Sequence, residues 1–220
     1  MHYGLFFSPS LYGKNMDICI RPAESCDIPA MLAIYAPYVK NSAVSFEYSV
    51  PSEDDFRSRH ALVTAVYPWL AAEYDGRVAG YAYASRFHPR AAYDWCAELS
   101  IYVDSSYRGL GMGRILYGHL EKILAAQNVL TAYACIAHTQ EPDEYLDHAS
   151  IHFHTRMGYH LTGSFPRCGF KFGRWYGMIW MEKRLKPSHT LAAAQDVMQT
   201  ITPTPILPFA AVRDRFFPAS

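Results

Sequence analysis

The amino-acid sequence predicts an α+β protein whose mixed, mostly antiparallel central sheet is flanked by helices, and three observations carry that expectation. In residues 98–127, Leu99, Ile101 and Val103 form an apolar strand, a glycine-rich turn follows, and Ile115, Leu116, Leu120, Ile123 and Leu124 make the apolar stripe of a helix. Residues 69–74 and 78–84 read as two strands around Asp75-Gly76, a pair that tolerates positive φ and suits a hairpin. Along the chain the elements run strand, two helices, three strands, helix, strand, helix, two strands, so the glycine turn follows the fourth strand.

Taken in order, Ile18 and Ile20 alternate with polar neighbours as a first strand. Asp27 caps a helix with Pro29 in its first turn and Ile28, Met31, Leu32, Ile34 and Tyr35 as its apolar residues. Ser52, with Asp55 three residues on, caps a second helix to about residue 66. After the hairpin and the residue 98–103 strand come a strand over 130–136, a helix over 149–157, and closing strands over 160–165 and 174–182. Residues 16–185 therefore read as one domain. Residues 1–15 lack the basic segment and long apolar core of a secretory signal, and are expected to be a disordered arm or an upstream start. Residues 186–220 hold a proline-rich, aperiodic stretch and are expected to be irregular and dispensable, unless Ile206, Leu207, Phe209 and Phe216-Phe217 dock on an apolar patch.

At 220 residues, half of them hydrophobic, and with a formal net charge of zero, the chain suits a globular domain with a proper core. Neither a nucleic-acid surface nor a polybasic membrane patch is suggested, and no apolar run approaches the roughly 18 residues of a membrane span. Five scattered cysteines without a Cys-x-x-Cys pair are expected to be free thiols in a cytoplasmic protein, with no metal site.

The glycine turn carries the chemistry. A strand, a tight turn and a helix N-terminus leave backbone N–H groups pointing outward at the positive end of the helix dipole. Gly109, Gly111 and Gly113 allow close approach, Arg108 and Arg114 add charge, and Leu110 and Met112 complete the segment, so a pyrophosphate is the natural occupant. Arg114 and Ile115 stand where a P-loop needs Lys and Ser or Thr, and the third glycine falls one residue early for a dinucleotide fingerprint. The remaining alternatives are an ordinary glycine-rich connection and Arg-x-x-Gly-x-Gly, which resembles the acetyl-CoA pyrophosphate loop of the GCN5-related N-acetyltransferases (GNAT).

Further motifs sharpen the resemblance. Tyr93-Asp94-Trp95, the Glu98 strand, the glycine loop, and Gly169 to Trp175 look like the phosphinothricin and methionine-sulfoximine acetyltransferase branch of that superfamily, over about residues 17–185. The resemblance implies the GNAT fold, acetyl-CoA as co-substrate without a metal, and Glu98 as general base. It makes His154 the donor that protonates the departing thiolate, in a pattern Asp147-x-x-Ser150-x-x-x-His154. The backbone of Ile101, Tyr102 and Val103 would pair with the pantetheine arm, with Asp147 and Ser150 near it. Asp147 stands where the family carries Asn, and a carboxylate accepts but does not donate. The loop preceding it is longer than usual, so the cover over the arm is expected to be remodelled.

Phe46, Arg90 and Tyr93 are the expected acceptor-binding residues, with Arg90 gripping a carboxylate. His88 replaces a Lys of the phosphinothricin enzymes. Each residue has a plainer reading: an Arg-paired carboxylate for Glu98, a surface histidine for His154, a core aromatic for Phe46, a solvated charge for Arg90. Trp95, Trp175 and Tyr176 read as core aromatics, although Tyr176 occupies a family His position beside the acceptor. The expected activity is acetylation of the α-amino group of a small amino-acid-like acceptor by direct attack in a ternary complex. Alternatives are another amine or a protein N-terminus as acceptor, or a non-catalytic acetyl-CoA sensor. The expected partners are a small-molecule amine and a second copy of the chain, with neither nucleic acid nor membrane.

Overall fold

The computed structural model describes residues 18–185 and 203–218. The elements are β1 (Cys19–Pro22), α1 (Ile28–Asn41), α2 (Glu53–Thr64), β2 (Trp69–Tyr74), β3 (Arg77–Arg86), β4 (Cys96–Val103), α3 (Met112–Ala126), β5 (Thr131–His138), α4 (Ala149–Arg156), β6 (His160–Lys171), β7 (Arg174–Arg184) and α5 (Phe209–Val212). They build one seven-stranded sheet in the order β1-β2-β3-β4-β5-β7-β6. Among the described residues β4 and β5 form its one parallel pair, and every other neighbour is antiparallel.

Local chemistry explains the element ends. Asp75 and Gly76 both take positive φ, 52° and 72°, as the two-residue β2–β3 hairpin requires. Ser52 accepts the Asp55 N–H at 3.1 Å and caps α2 as expected. Asp27 does sit before α1, but its carboxylate makes no cap bond to that helix. It is drawn instead to the Arg21 guanidinium, 2.7 Å away, and to the Glu24 N–H, because the guanidinium offers a bidentate pair of bonds to a full opposite charge.

Two cores lie on opposite faces of the sheet. One gathers Leu116, Tyr117, Leu120, Ile123 and Leu124 of α3 against Leu70, Ala82, Leu99 and Ala132. The other gathers Ile28, Met31, Tyr35 and Val39 of α1 with Phe56, Trp69 and Tyr81. Ile115, expected in the apolar stripe, is 37% exposed. Trp175, expected in the core, is 60% exposed at the β6–β7 hairpin.

The C-terminal segment departs from expectation. Rather than an irregular tail, residues 203–218 include α5 and pack on the α3 core, with Phe209 and Val212 buried and Ile206, Leu207, Phe216 and Phe217 partly so. Backbone pairing holds the segment as well as apolar contact. Leu207 N–H donates to Gln127 O at 2.8 Å, Phe209 N–H to Val66 O at 2.8 Å, and the Trp95 indole to Thr204 O at 2.8 Å. Prolines hide such a strap from periodicity arguments because its contacts are not made by a repeating face. Residues 1–15 and 186–202 lie outside the described residues, so the expected arm has no structural account.

Candidate functional site

The site grows from a break in the sheet. β4 pairs with β5 only where Cys96–Glu98 meets Thr131–Tyr133. On its other side β4 pairs with β3 along its whole length, and Asp104 N–H donates to Ala79 O. In an antiparallel ladder every second residue points its N–H and C=O toward the partner. Counting back from Asp104, Tyr102 and Ser100 face β3, while Val103, Ile101 and Leu99 turn their backbone groups to the β5 side. There the pairing has stopped, and a cavity of about 390 Å³ opens, lined by residues 99–103 and 134–137 and by Gly113, Tyr117, Phe153 and His154.

This edge offers an extended ligand strand-like pairing. The register corrects one expectation: the Tyr102 amide is committed to β3, and its ring packs against Tyr35 and Tyr38. Ile101 keeps its backbone groups on the open side. Val103 is occupied by Tyr38, whose hydroxyl donates to Val103 O at 2.6 Å and accepts Val103 N–H at 3.3 Å.

The glycine turn lies at the mouth. Gly109 and Gly111 take φ of 81° and 79°, and a Cβ built on either would meet nothing within 4 Å, so open space lies before both. Gly111 is the N-cap of α3 and makes no side-chain cap bond. The first amides of α3 are therefore free to receive an anion. Arg108 and Arg114 are exposed, and the Arg108 guanidinium lies 5.4 Å from the centre of the Tyr38 ring. Leu110 is half-buried. The Met112 side chain is buried against Gly80, which leaves its backbone as the part facing the turn.

At the other end, where β4 and β5 part, sits Glu98. Among the described residues its carboxylate has neither an ion-pair partner nor a hydrogen bond, which removes the plainer reading of an Arg-paired group. Burial alone pushes its pKa up. Facing it across the rung is Tyr133, against whose ring Phe87 stacks at 4.4 Å. That contact brings the loop after β3 to Glu98. His88 and Tyr93 pack together at 5.1 Å, and Arg90 is exposed with no ion pair among the described residues.

Phe46 lies beside the cavity rather than on its wall, packed with Leu146, Ala137 and Tyr176. A Cβ at Gly169 would come within 2.3 Å of the Phe46 ring, so β6 receives that ring directly on its backbone. The loop bearing Phe46 is clamped by Lys171, 3% exposed, whose ammonium donates to Val39 O and Ser42 O at 2.9 Å and Ser45 O at 2.5 Å. Leu146 and the buried Tyr176 pack nearby.

Asp143 organises the cover. One carboxylate oxygen accepts the N–H of Tyr145 and Leu146, and the other accepts from Tyr176 and Arg174. Asp147 lines the cavity but spends its carboxylate on the Ala149 N–H, 2.9 Å away at the start of α4. Ser150 lines it too, half-buried.

His154 is 3% exposed, which rules out a surface histidine. Both ring nitrogens are engaged: Nδ1 with Ser150 O at 2.7 Å and Nε2 with the Tyr117 hydroxyl at 2.8 Å. A carbonyl only accepts, so Nδ1 carries the proton and Nε2 accepts from Tyr117. Burial lowers the pKa to about 4, leaving the ring neutral at pH 7. Tyr117 and Tyr38 are the cavity-lining residues in these hydrogen bonds that the sequence reading passed over. The signal for Tyr117 was its place one helical turn after Gly113, on the same face.

Comparison with known proteins agrees with this geometry. The acetyltransferase (GNAT) domain model matches residues 20–180. A phosphinothricin N-acetyltransferase of Streptomyces viridochromogenes is 34% identical over 74% of this chain and 86% of its own. An L-methionine sulfoximine/L-methionine sulfone acetyltransferase of Pseudomonas aeruginosa is 33% identical over 80% of this chain and 99% of its own. Among solved structures, a GNAT superfamily phosphinothricin acetyltransferase from Sinorhizobium meliloti in complex with AcCoA superposes with a TM-score of 0.74 at 30% identity, covering 86% of this chain and 94% of that one.

Proposed function

Since the chain belongs to the GNAT acetyltransferase family, we propose that it moves the acetyl group of acetyl-CoA to the α-amino group of a small amino-acid-like acceptor of the phosphinothricin or methionine sulfoximine type. The observation that carries this reading is Glu98. It is a half-buried carboxylate with no partner among the described residues, set on the last β4–β5 rung beside Leu99 of the cavity wall and opposite Tyr133, on which Phe87 of the loop of Arg90 and Tyr93 stacks. Such a group takes a proton from an ammonium and from the attacking amine. The α3 amides, Arg108 and Arg114 hold the pyrophosphate, the open edge of Ile101 pairs with the pantetheine arm, and its N–H polarises the thioester oxygen. Arg90 binds the acceptor carboxylate, and Phe46 and Tyr93 enclose its side chain.

Transfer is direct. The Cys135 thiol, which lines the cavity, is pushed up by burial to about 12, so at neutral pH it is no nucleophile for a ping-pong route. An acetyl-CoA sensor has no use for a desolvated base, and the free amino acid is preferred to a protein N-terminus because Arg90 answers a carboxylate. His88, standing where the resemblance to the phosphinothricin enzymes puts a Lys, favours the uncharged sulfoximines and sulfones over the anionic phosphinate. The enzyme is cytoplasmic, in keeping with five unpaired cysteines. It works as a homodimer, supported by the edge strand β6 with exposed Leu161, Phe165 and Phe170.

The test is release of CoA thiol with a panel of amino acids, their sulfoximine and sulfone analogues, and N-terminal peptides. Turnover confined to the peptides, or absent throughout, would overturn the reading. Two variants probe its halves. Gly111→Val forces a branched side chain into positive φ and across the anion site, so calorimetric affinity for acetyl-CoA is expected to fall at least tenfold in a folded protein. Gly169→Ala displaces the Phe46 ring, and the KM for the acceptor is expected to rise severalfold with acetyl-CoA affinity unchanged.

A further inference from the structure

The departing thiolate needs a proton, and the geometry at His154 withholds one. Its Nδ1–H is held by Ser150 O, which belongs to the same helix and cannot move away without unwinding it. Its Nε2 carries no proton and already receives one hydrogen bond, from Tyr117. The Tyr117 hydroxyl is different. It lies 2.8 Å from that nitrogen, it lines the same cavity, and it has a proton that a small rotation about the C–O bond turns from nitrogen toward the cavity. The ring itself is fixed, with Phe153 edge-on at 5.2 Å and Tyr159 at 6.0 Å. Glu98 and Glu121 are the charged groups that act on it, both raising its pKa beyond what burial does, so the phenol is protonated at every working pH.

We propose that Tyr117 is the catalytic residue that protonates the CoA thiolate, and that His154 is a positioning residue which orients the phenol. The inference rests on the acetyl-transfer reading and deepens it. The acceptor nitrogen forms its bond to the acetyl carbon, the C–S bond breaks, and sulfur leaves with the electron pair and takes the Tyr117 proton. The nitrogen gives its proton to Glu98. Amide and thiol have then formed, and a water returns the Glu98 proton to the phenolate, so nothing is consumed. As the phenolate forms, the Nδ1–H tautomer of His154 stays as it was, which keeps the buried imidazole neutral throughout.

Three variants decide it, measured with the acceptor that the wild-type protein turns over. Tyr117→Phe keeps the ring and removes the proton: kcat is expected to fall about 10²-fold, with acetyl-CoA affinity and melting temperature near those of the wild type. His154→Gln offers Tyr117 an amide oxygen in place of Nε2 and is expected to lose less than tenfold. A 3,5-difluorotyrosine at position 117 has a more acidic phenol; it should restore turnover relative to phenylalanine and bring an alkaline fall of kcat to lower pH. A purely structural hydroxyl would give rescue without the pH shift. Tyr117→Phe turnover within threefold of wild type, a larger loss in His154→Gln than in Tyr117→Phe, or an unshifted profile in the fluorinated protein would each overturn the assignment. A wild-type protein inert toward every acceptor would instead sink the acetyl-transfer reading itself.

Discussion

Glu98→Gln is expected to keep acetyl-CoA affinity and lose about 10²–10⁴-fold in turnover, the range typical of a missing general base. Part of the loss should return at high pH, where the acceptor amine is already neutral. The same variant should melt at a higher temperature than the wild type at pH 7, because burial alone raises the Glu98 pKa. The sign follows from linkage. A carboxyl that holds its proton more tightly when folded makes the fold less stable as pH climbs from the unfolded value, about 4.3, toward the folded one. Glutamine carries no such penalty, so the gain in melting temperature should vanish in acid. A catalytic loss without that pH-dependent gain would mean that the carboxylate is solvated in the fold, and wild-type turnover would mean that the base lies elsewhere.

Phe209→Ala is expected to be among the most destabilising substitutions in the chain, although its residue stands far from any predicted element. The ring is 7% exposed within the α3 core, and removing a buried phenylalanine costs about 3–5 kcal/mol. For a chain of this size each kcal/mol lowers the melting temperature by roughly 2–4 °C, which places the drop on the order of 10 °C. A chain ending at residue 185 should fare worse, since it also removes Val212, Ile206 and Leu207 from the α3 core and takes Leu207 O, one of two acceptors, from the Gln127 side chain. Thermal unfolding of both variants checks this, and melting temperatures within a few degrees of wild type would show that the segment only rests on the surface.

What was legible in the sequence followed from short-range rules. The hairpin at Asp75-Gly76, the Ser52 cap and the glycine turn are each encoded within a few residues, and each formed where expected. The mixed sheet flanked by helices was legible too, because its strands and helices alternate with clear periods. The environment of the site residues was not. Nothing local announces that Tyr38, on α1, reaches the backbone of Val103, 65 positions on, or that the Tyr117 hydroxyl meets His154 across two elements. The strap over residues 203–218 escaped for a related reason. Its polar ties are made through its own backbone, at Thr204, Pro205, Leu207 and Phe209, and backbone groups leave no mark on composition.

The parting of β4 from β5 has a mechanical meaning. Among the described residues three pairs, Cys96 with Thr131, Ala97 with Ala132 and Glu98 with Tyr133, are the rungs between a four-stranded half-sheet and a three-stranded one. A ligand laid along Ile101 supplies the absent rungs, so it behaves as an eighth strand that the genome does not encode. Its binding free energy then adds to cohesion between the halves, growing with the logarithm of its concentration. On the proposed binding mode, heat resistance of this protein is expected to rise with the acetyl-CoA that surrounds it, and amide exchange along the seam to slow as that pool fills.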